Sequence, residues 1–262
     1  MILNGKKIAE QIKKRLKKNI EKYKLVPGLA IILIGKNTGS AVYVRLKEIA
    51  SKNIGIKCQT FLLTSRCKQR DVLGLIKKLN NDPKIHGIII QMPIPKHLDP
   101  NLLVNSISPS KDVDGFQKKS KFNSPTHQAV IRLLKASNQK LKNKKALILS
   151  KNSIFVNPLK DLFEKLSMPT FWETKPKKNT CKMNIIISAL GQPNVIKPAM
   201  VKKKAIVIDV GYVRIKNKAC GDVDDRVIKE KNVFLSPVPG GVGPLTVAYL
   251  LKNVYLSARN KK

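Results

Sequence analysis

Acidic residues are scarce in this chain: 16 Asp and Glu stand against 52 Lys and Arg, a formal net charge of +36. Such an excess normally points to nucleic acid or another polyanion as partner. Two further shortages argue otherwise. Aromatic residues make up only 5% of the chain, so the interleaved stacking platform of a single-strand binder is missing. There is no long basic tail either, since lysines are spread from Lys6 to Lys262 in twos and threes. Lys, Asn and Ile are inflated together, which resembles compositional drift across the whole chain. The expectation is no specific nucleic-acid partner, only salt-sensitive sticking to polyanions. No apolar run approaches the length of a bilayer span, and the N-terminus lacks the apolar core of a signal peptide. The chain is therefore expected in the cytoplasm, with no membrane partner. Its four cysteines (Cys58, Cys67, Cys181, Cys220) lack metal-type spacing and read as reduced thiols. His86, His97 and His127 show no metal spacing, so no metal site is expected.

What is present suffices for a real core. A chain of 262 residues with 42% hydrophobic content makes one large or two medium domains. Ile8, Ile12, Leu16 and Ile20 recur every four residues among lysines, an amphipathic first helix. Pro27-Gly28 then breaks the chain before Leu29 to Ile34, a continuous apolar run of the kind buried on both faces of a sheet. A helix from about Ser40 to Asn53, a strand near Cys58 to Leu63, a helix carrying Val72, Leu73, Ile76 and Leu79, and a buried strand Gly87 to Met92 follow. A second series begins after about Phe116, with strands at Ala146 to Leu149, Asn184 to Ala189, Ala205 to Val210 and Val233 to Leu235. The alternation predicts an α/β protein with parallel sheets: two αβ lobes flanking a cleft. The last helix, from Leu245 to about Leu256, is expected to return to the first lobe.

Several local features carry chemistry. Ser236 to Thr246 reads Ser-Pro-Val-Pro-Gly-Gly-Val-Gly-Pro-Leu-Thr, a path with few conformations. It is either a rigid strand-to-helix turn or the preorganised wall of a cleft with a helix N-terminus behind it. Tyr43 and Lys47 stand four apart on one helix face, at the margin of a stripe of Val42, Leu46, Ile49, Ala50 and Ile54 expected to be buried. A lysine partly desolvated beside a phenol can shuttle protons, although spacing alone favours an ordinary surface lysine. Gln91 ends a buried strand, where a neutral amide either orients a lysine or ligand or simply caps the strand. Asp112 and Asp114 in Lys-Asp-Val-Asp-Gly would share one side of an extended segment. A Ca²⁺ loop is excluded by the missing ligand positions, leaving a carboxylate for an amino-substituted ring or a turn acceptor.

Five pieces stand in the order and approximate spacing of one family: Asn4-Gly-Lys-Lys-Ile-Ala9, Tyr43-Val-Arg-Leu-Lys47, Gln91-Met-Pro-Ile-Pro95, Lys111-Asp-Val-Asp-Gly115 and Ser236 to Thr246. Val207-Ile-Asp-Val-Gly211 and Gly221-Asp-Val223 also fit. Over nearly its whole length the chain resembles the bifunctional methylenetetrahydrofolate dehydrogenase/methenyltetrahydrofolate cyclohydrolase family. The resemblance implies NADP-dependent oxidation of 5,10-methylenetetrahydrofolate and hydrolysis of the methenyl product to 10-formyltetrahydrofolate. It implies a catalytic folate-binding domain over residues 1–117, with 244–262 packing back on it, and a Rossmann-like NADP-binding domain over 118–243. By position, Lys47 is the catalytic lysine, Tyr43 stacks on the aminobenzoyl ring, Gln91 holds and tunes Lys47, and Asp114 binds the pterin's amino edge. Pro239, Gly240, Gly241, Val242 and Gly243 shape the folate cleft. Tetrahydrofolate derivatives are the implied substrates and a homodimer the implied assembly.

The nicotinamide side departs from the family pattern. The family's Gly-x-Ser-x-x-Val-Gly-x-Pro loop is Ser150-Lys-Asn-Ser-Ile-Phe-Val-Asn-Pro158 here. Both glycines, which serve the tight turn and close phosphate approach, are replaced, by Ser150 and Val156. Ser150, Lys151, Asn152, Lys175 and Tyr212 are the cofactor-side candidates. Thr174 and Lys175 roughly take the place of the pair that meets the NADP 2′-phosphate, and Gly-Ile-Asn is Gly211-Tyr212-Val213. Pro-x-Thr-Pro-x-Gly has become Phe122 to His127. The reading is retained bifunctionality with impaired NADP affinity. The alternatives are a cyclohydrolase with weakened or lost dehydrogenase activity, or a basic nucleic-acid-binding or scaffold protein with a vestigial folate site.

Overall fold

The computed structural model describes residues 1–216 and 218–260; the end of the expected tail, residues 261 and 262, lies outside them. The chain forms two compact units, Ala9–Pro125 with the segment from Val247 onward, and Met1–Ile8 with Thr126–Thr246.

The first unit takes most of α1 (Gly5–Lys22), then β1 (Gly28–Ile34), α2 (Thr38–Asn53), β2 (Lys57–Leu63), α3 (Gln69–Asn81), β3 (Gly87–Ile90) and α4 (Pro100–Asn105). The strands form a parallel sheet in the order β2-β1-β3, with Ile32 opposite Ile90 and Ile34 opposite Leu63. Every residue of β1 is buried because both faces of the sheet are covered. Leu29, Ile31 and Leu33 pack with Leu16, Ile20, Val44 and Ile54 on one face; Ala30, Ile32 and Ile34 pack with Val72, Ile76 and Leu103 on the other. This two-sided burial is why the strand reads as an unbroken apolar run.

The orientation of α2 corrects the expected stripe. Val42, Leu46 and Ile49 are 41%, 50% and 49% exposed. The inward row is Ser40, Val44, Ser51 and Ile54, all buried, and Lys47 occupies the same helical row. Two serines and a lysine on the inner face hid its direction from hydrophobic periodicity. Lys47 thus points along the buried side rather than its margin.

The second unit holds α5 (Pro125–Ala136), apart from its first residue, and β4 (Ala146–Ser150), α6 (Ser153–Glu164), β5 (Thr170–Glu173), β6 (Ile185–Ala189) and β7 (Ile206–Asp209). It continues with β8 (Val213–Ile215), β9 (Lys218–Cys220), α7 (Arg226–Lys231), β10 (Phe234–Leu235) and the start of α8 (Val242–Arg259). Its main sheet is parallel in the order β10-β7-β6-β4-β5. Strand β5 and the β8–β9 hairpin were not among the expected strands. β5 is a short edge strand with Phe171 and Trp172 exposed, and the hairpin strands are three residues each with none buried, so neither shows a buried-strand pattern.

The N-terminal residues pair with the second unit. Ile2 bridges to Leu235, Leu3 N–H donates to Leu235 O at 2.8 Å, and Lys6 N–H donates to Gly240 O at 2.8 Å. Backbone pairing therefore ties residues 1–8 to the second unit. α8 also starts earlier than Leu245, taking Val242, Gly243 and Pro244 into its first turn, where proline's missing N–H is harmless.

Further along α8, Leu250, Leu251 and Val254 join the core beneath β1. Asn253, 2% exposed, donates through Nδ2 to Val113 O (2.8 Å) and Asn123 O (3.1 Å), bracing the segment that carries Asp114. Asn253→Ala leaves those carbonyls short of a donor and should lower the unfolding free energy by about 1–3 kcal/mol in urea denaturation. A loss below about 0.5 kcal/mol, the scale of an uninvolved surface change, would show that the amide is not a brace.

Candidate active site

The C-terminal ends of β1 and β3 converge on a small polar cluster in the first unit. Gln91, the residue after β3, is fixed by its N–H to Ile32 O (2.9 Å). Its side-chain Nε2 donates to Met92 O at 2.9 Å, which turns Oε1 outward to accept from Lys47 Nζ at 2.9 Å. The amide cannot be reversed without setting two donors against each other. Gln91 is therefore an oriented neutral acceptor for the lysine, the first of its two sequence readings. Tyr43 lies one helical turn before Lys47, half-buried.

Burial lowers the Lys47 pKa from the ordinary lysine value, with Asp114 opposing and a smaller opposing effect from Cys58. The Cys58 thiol is itself pushed up to about 11 by burial, so near neutral pH it carries no charge. Asp114 is then the counter-charge that matters. Its carboxyl is pushed up to about 6 by burial, held back by the Lys47 charge and raised further by Asp112. Lysine and carboxylate each sit closer to neutrality than they would in water, as proton-handling groups need.

The two aspartates of Lys-Asp-Val-Asp-Gly do different things. Asp112 accepts the N–H groups of Gly115 (3.1 Å) and Gln117 (3.0 Å), the turn-acceptor role. Asp114 is left to face Lys47 electrostatically. Lys111 is buried, with Nζ donating to Leu79 O and Asp82 O, both at 2.8 Å, at the end of α3. That cation caps a helix C-terminus. The sequence held this signal as a lysine inside an otherwise apolar and acidic motif, but nothing in it named the helix.

Pro239, Gly240, Gly241, Val242 and Gly243 lie in the second unit. Gly240 has φ +110°, and a Cβ at Gly241 would come within 2.6 Å of Pro237 O. A Cβ on Gly5 would fall on Gly241 O, which accounts for the glycine of Asn4-Gly5. Two of the loop's three glycines are thus required by the loop's own backbone, while around Gly243 there is open space. Asp209 and Asp222 brace the neighbouring strand ends. Asp209 accepts N–H groups from Gly211, Asp222 and Val223 at 2.9–3.1 Å. Asp222 accepts from Ser188 Oγ, Leu190 N and Gln192 N at 2.7–2.8 Å. Sequence reading gave these acids no role beyond family fit; they order loops at the rim of the sheet.

The altered loop joins β4 to α6. Asn152 caps α6, its Oδ1 accepting from Ile154 N at 2.9 Å, and Ser150 Oγ accepts from Asn152 N at 3.1 Å. Trp172 Nε1 donates to Ser150 O at 2.8 Å, and the His127 ring meets Phe155 O at 2.9 Å. The residues that replace glycine point inward: Ser150 is 1% exposed and Val156 0%. Lys151, Asn152 and Ser153 are exposed, as are Lys175 and Tyr212. A helix N-terminus at the carboxyl end of a parallel strand, with the bulk of the substitutions turned into the core, fits a dinucleotide diphosphate. Among the described residues, no three His, Cys, Asp or Glu side chains gather as a metal site.

Comparison with known proteins gives matches along the whole chain. Residues 3–114 match the model for the tetrahydrofolate dehydrogenase/cyclohydrolase catalytic domain, and residues 124–262 that for its NAD(P)-binding domain. A curated relative named Bifunctional protein FolD, from a Nitratiruptor species, is 36% identical over 278 residues, covering 100% of this chain and 99% of the relative. The crystal structure of a bifunctional methylenetetrahydrofolate dehydrogenase/cyclohydrolase from Campylobacter jejuni superposes with a TM-score of 0.92 at 34% identity, over 100% of this chain and 99% of that one. The Trypanosoma brucei dehydrogenase-cyclohydrolase, solved with NADP cofactor and inhibitor, gives a TM-score of 0.90 at 28% identity, over 100% and 98%.

The placement of Lys47 makes a direct prediction. In an NMR pH titration of the side-chain amines, Lys47 Nζ should lose its proton below the ordinary lysine range, because burial penalises the charged form. Titration at or above the ordinary value would show that its counter-charges outweigh burial.

Proposed function

The chain belongs to the tetrahydrofolate dehydrogenase/cyclohydrolase family, and from that premise we propose that Lys47, Gln91, Asp114 and Tyr43 carry its folate chemistry. The enzyme oxidises 5,10-methylenetetrahydrofolate with NADP and hydrolyses the methenyl product to 10-formyltetrahydrofolate. The observation carrying the residue assignment is the 2.9 Å hydrogen bond from Lys47 to an amide oxygen that is locked in orientation.

In the hydrolysis, water adds to the methenyl carbon between N5 and N10. Lys47, with its proton affinity lowered by burial, takes the proton that water loses. The same ammonium returns that proton to N5 as the C–N5 bond breaks, and the hydroxyl left on the carbon gives its own proton to solvent as it becomes the C=O of the formyl group on N10. Gln91 accepts one Lys47 N–H and so directs the remaining valences of the amine. Ionised Asp114 accepts from the pterin amino edge, and Tyr43 lies against the aminobenzoyl ring. A bound dinucleotide supplies the hydride acceptor for the oxidation; Lys151, Asn152 and the N-terminus of α6 are the groups that hold it. The inward burial of Ser150 and Val156 favours retention of this cofactor site over its loss. No helix among the described residues is long and apolar enough to cross a membrane. We read the working form as a cytoplasmic homodimer without a specific nucleic-acid partner, as the family resemblance and the scattered charge imply.

Lys47→Ala should lower kcat for methenyltetrahydrofolate hydrolysis by about 10²–10⁴-fold with a small change in KM. Hydrolysis at the wild-type rate would remove Lys47 from the mechanism. The pH dependence has a defined sign. Asp114 binds as a carboxylate, so kcat/KM should fall as pH drops through about 6, the position to which burial has raised it. In Asp114→Asn that acid limb should vanish while KM rises. An unchanged limb would assign it to another group.

A further inference from the structure

The C-terminal end of β5 carries a group that the family reading leaves unexplained. Glu173 is the last residue of β5 and pairs in register with Leu149, immediately before the β4–α6 loop. Trp172, its neighbour, holds that loop through the bond from Nε1 to Ser150 O. In a dinucleotide-binding βαβ unit, the residue about twenty positions beyond the first loop, at the end of the second strand, meets the adenosine ribose. An acid there accepts from the 2′-hydroxyl of NAD, whereas a cation nearby accommodates the 2′-phosphate of NADP.

This chain has both. Lys175 is exposed two residues on, and Glu173 stands at the acid position as one of only 16 acidic residues. Glu173 Oε2 pairs with Lys177 Nζ at 2.6 Å, with side chains 31% and 51% exposed. Such a half-exposed pair is screened by water and offsets only part of the carboxylate charge. A 2′-phosphate seated here meets Lys175 as an attraction and Glu173 as a repulsion; a 2′-hydroxyl meets Glu173 as an acceptor.

We propose that Glu173 is the residue that sets the choice between NADP and NAD, and that it lets this site take NAD alongside NADP. The proposal rests on the dehydrogenase half of the function above and deepens it. Lys177 is the tuning partner, since removing it exposes the full carboxylate charge to the 2′ position.

Isothermal titration calorimetry of the full chain with NADP and with NAD tests it. Wild type should bind the two with Kd values within about tenfold. Glu173→Gln, which keeps shape and removes charge, should tighten NADP about five- to tenfold and leave NAD unchanged or weaker. Lys177→Met should move the ratio the other way by weakening NADP. Near-wild-type melting temperatures would show that both variants fold. If the NAD/NADP ratio in Glu173→Gln stays within twofold of wild type, Glu173 is not the discriminating residue, while the bifunctional reading stands. If neither dinucleotide binds wild type, the proposal and the dehydrogenase half fall together, and methenyltetrahydrofolate hydrolysis by the same preparation shows whether the folate half survives.

Discussion

The polar cluster of the first unit depends on one hydrogen bond, from Lys47 Nζ to Gln91 Oε1. A lysine on the inward row of a helix is costly to bury, and a carboxylate as its direct partner would fix it as an ammonium. A neutral amide holds the nitrogen in place without that effect. Asp114, acting through space, is the balancing charge, and its own burial keeps it from dominating. The sheet serves this arrangement. β3 ends at Ile90 opposite Ile32, two residues before β1 ends, Gln91 leaves β3 still bonded to β1, and α2 carries Lys47 to Gln91.

The remaining family motifs in the first unit hold that cluster in place. Asp112 closes the turn, Lys111 ties the motif to the end of α3, and Asn253 of the last helix holds Val113. Asp114 is the acid of the motif that faces Lys47. In the second unit, Asp209 and Asp222 play a corresponding part by absorbing loop amides at the sheet rim. Buried acids whose oxygens are fully engaged by backbone donors order loops.

Much of this was legible in the chain itself. The apolar runs at Leu29 and Gly87 announced strands buried on both faces, and both lie in the parallel sheet. The site residues were proposed from ordered motifs, because spacing alone left Lys47 among the surface lysines. The face of α2 was misread because Ser40, Ser51 and Lys47 line its inner side while Val42, Leu46 and Ile49 face out. Strand β5 escaped notice as a half-exposed edge, and with it Glu173. The complete burial of Val156 could not be seen without the packing of α6.

The pH profile of methenyltetrahydrofolate hydrolysis in Gln91→Glu addresses the neutral-partner account directly. Replacing the amide by an isosteric carboxylate puts a negative charge against Lys47 Nζ, which raises the lysine's proton affinity. The account predicts that the limb belonging to Lys47 moves to higher pH and that kcat near neutrality falls. A profile superimposable on that of wild type would contradict it.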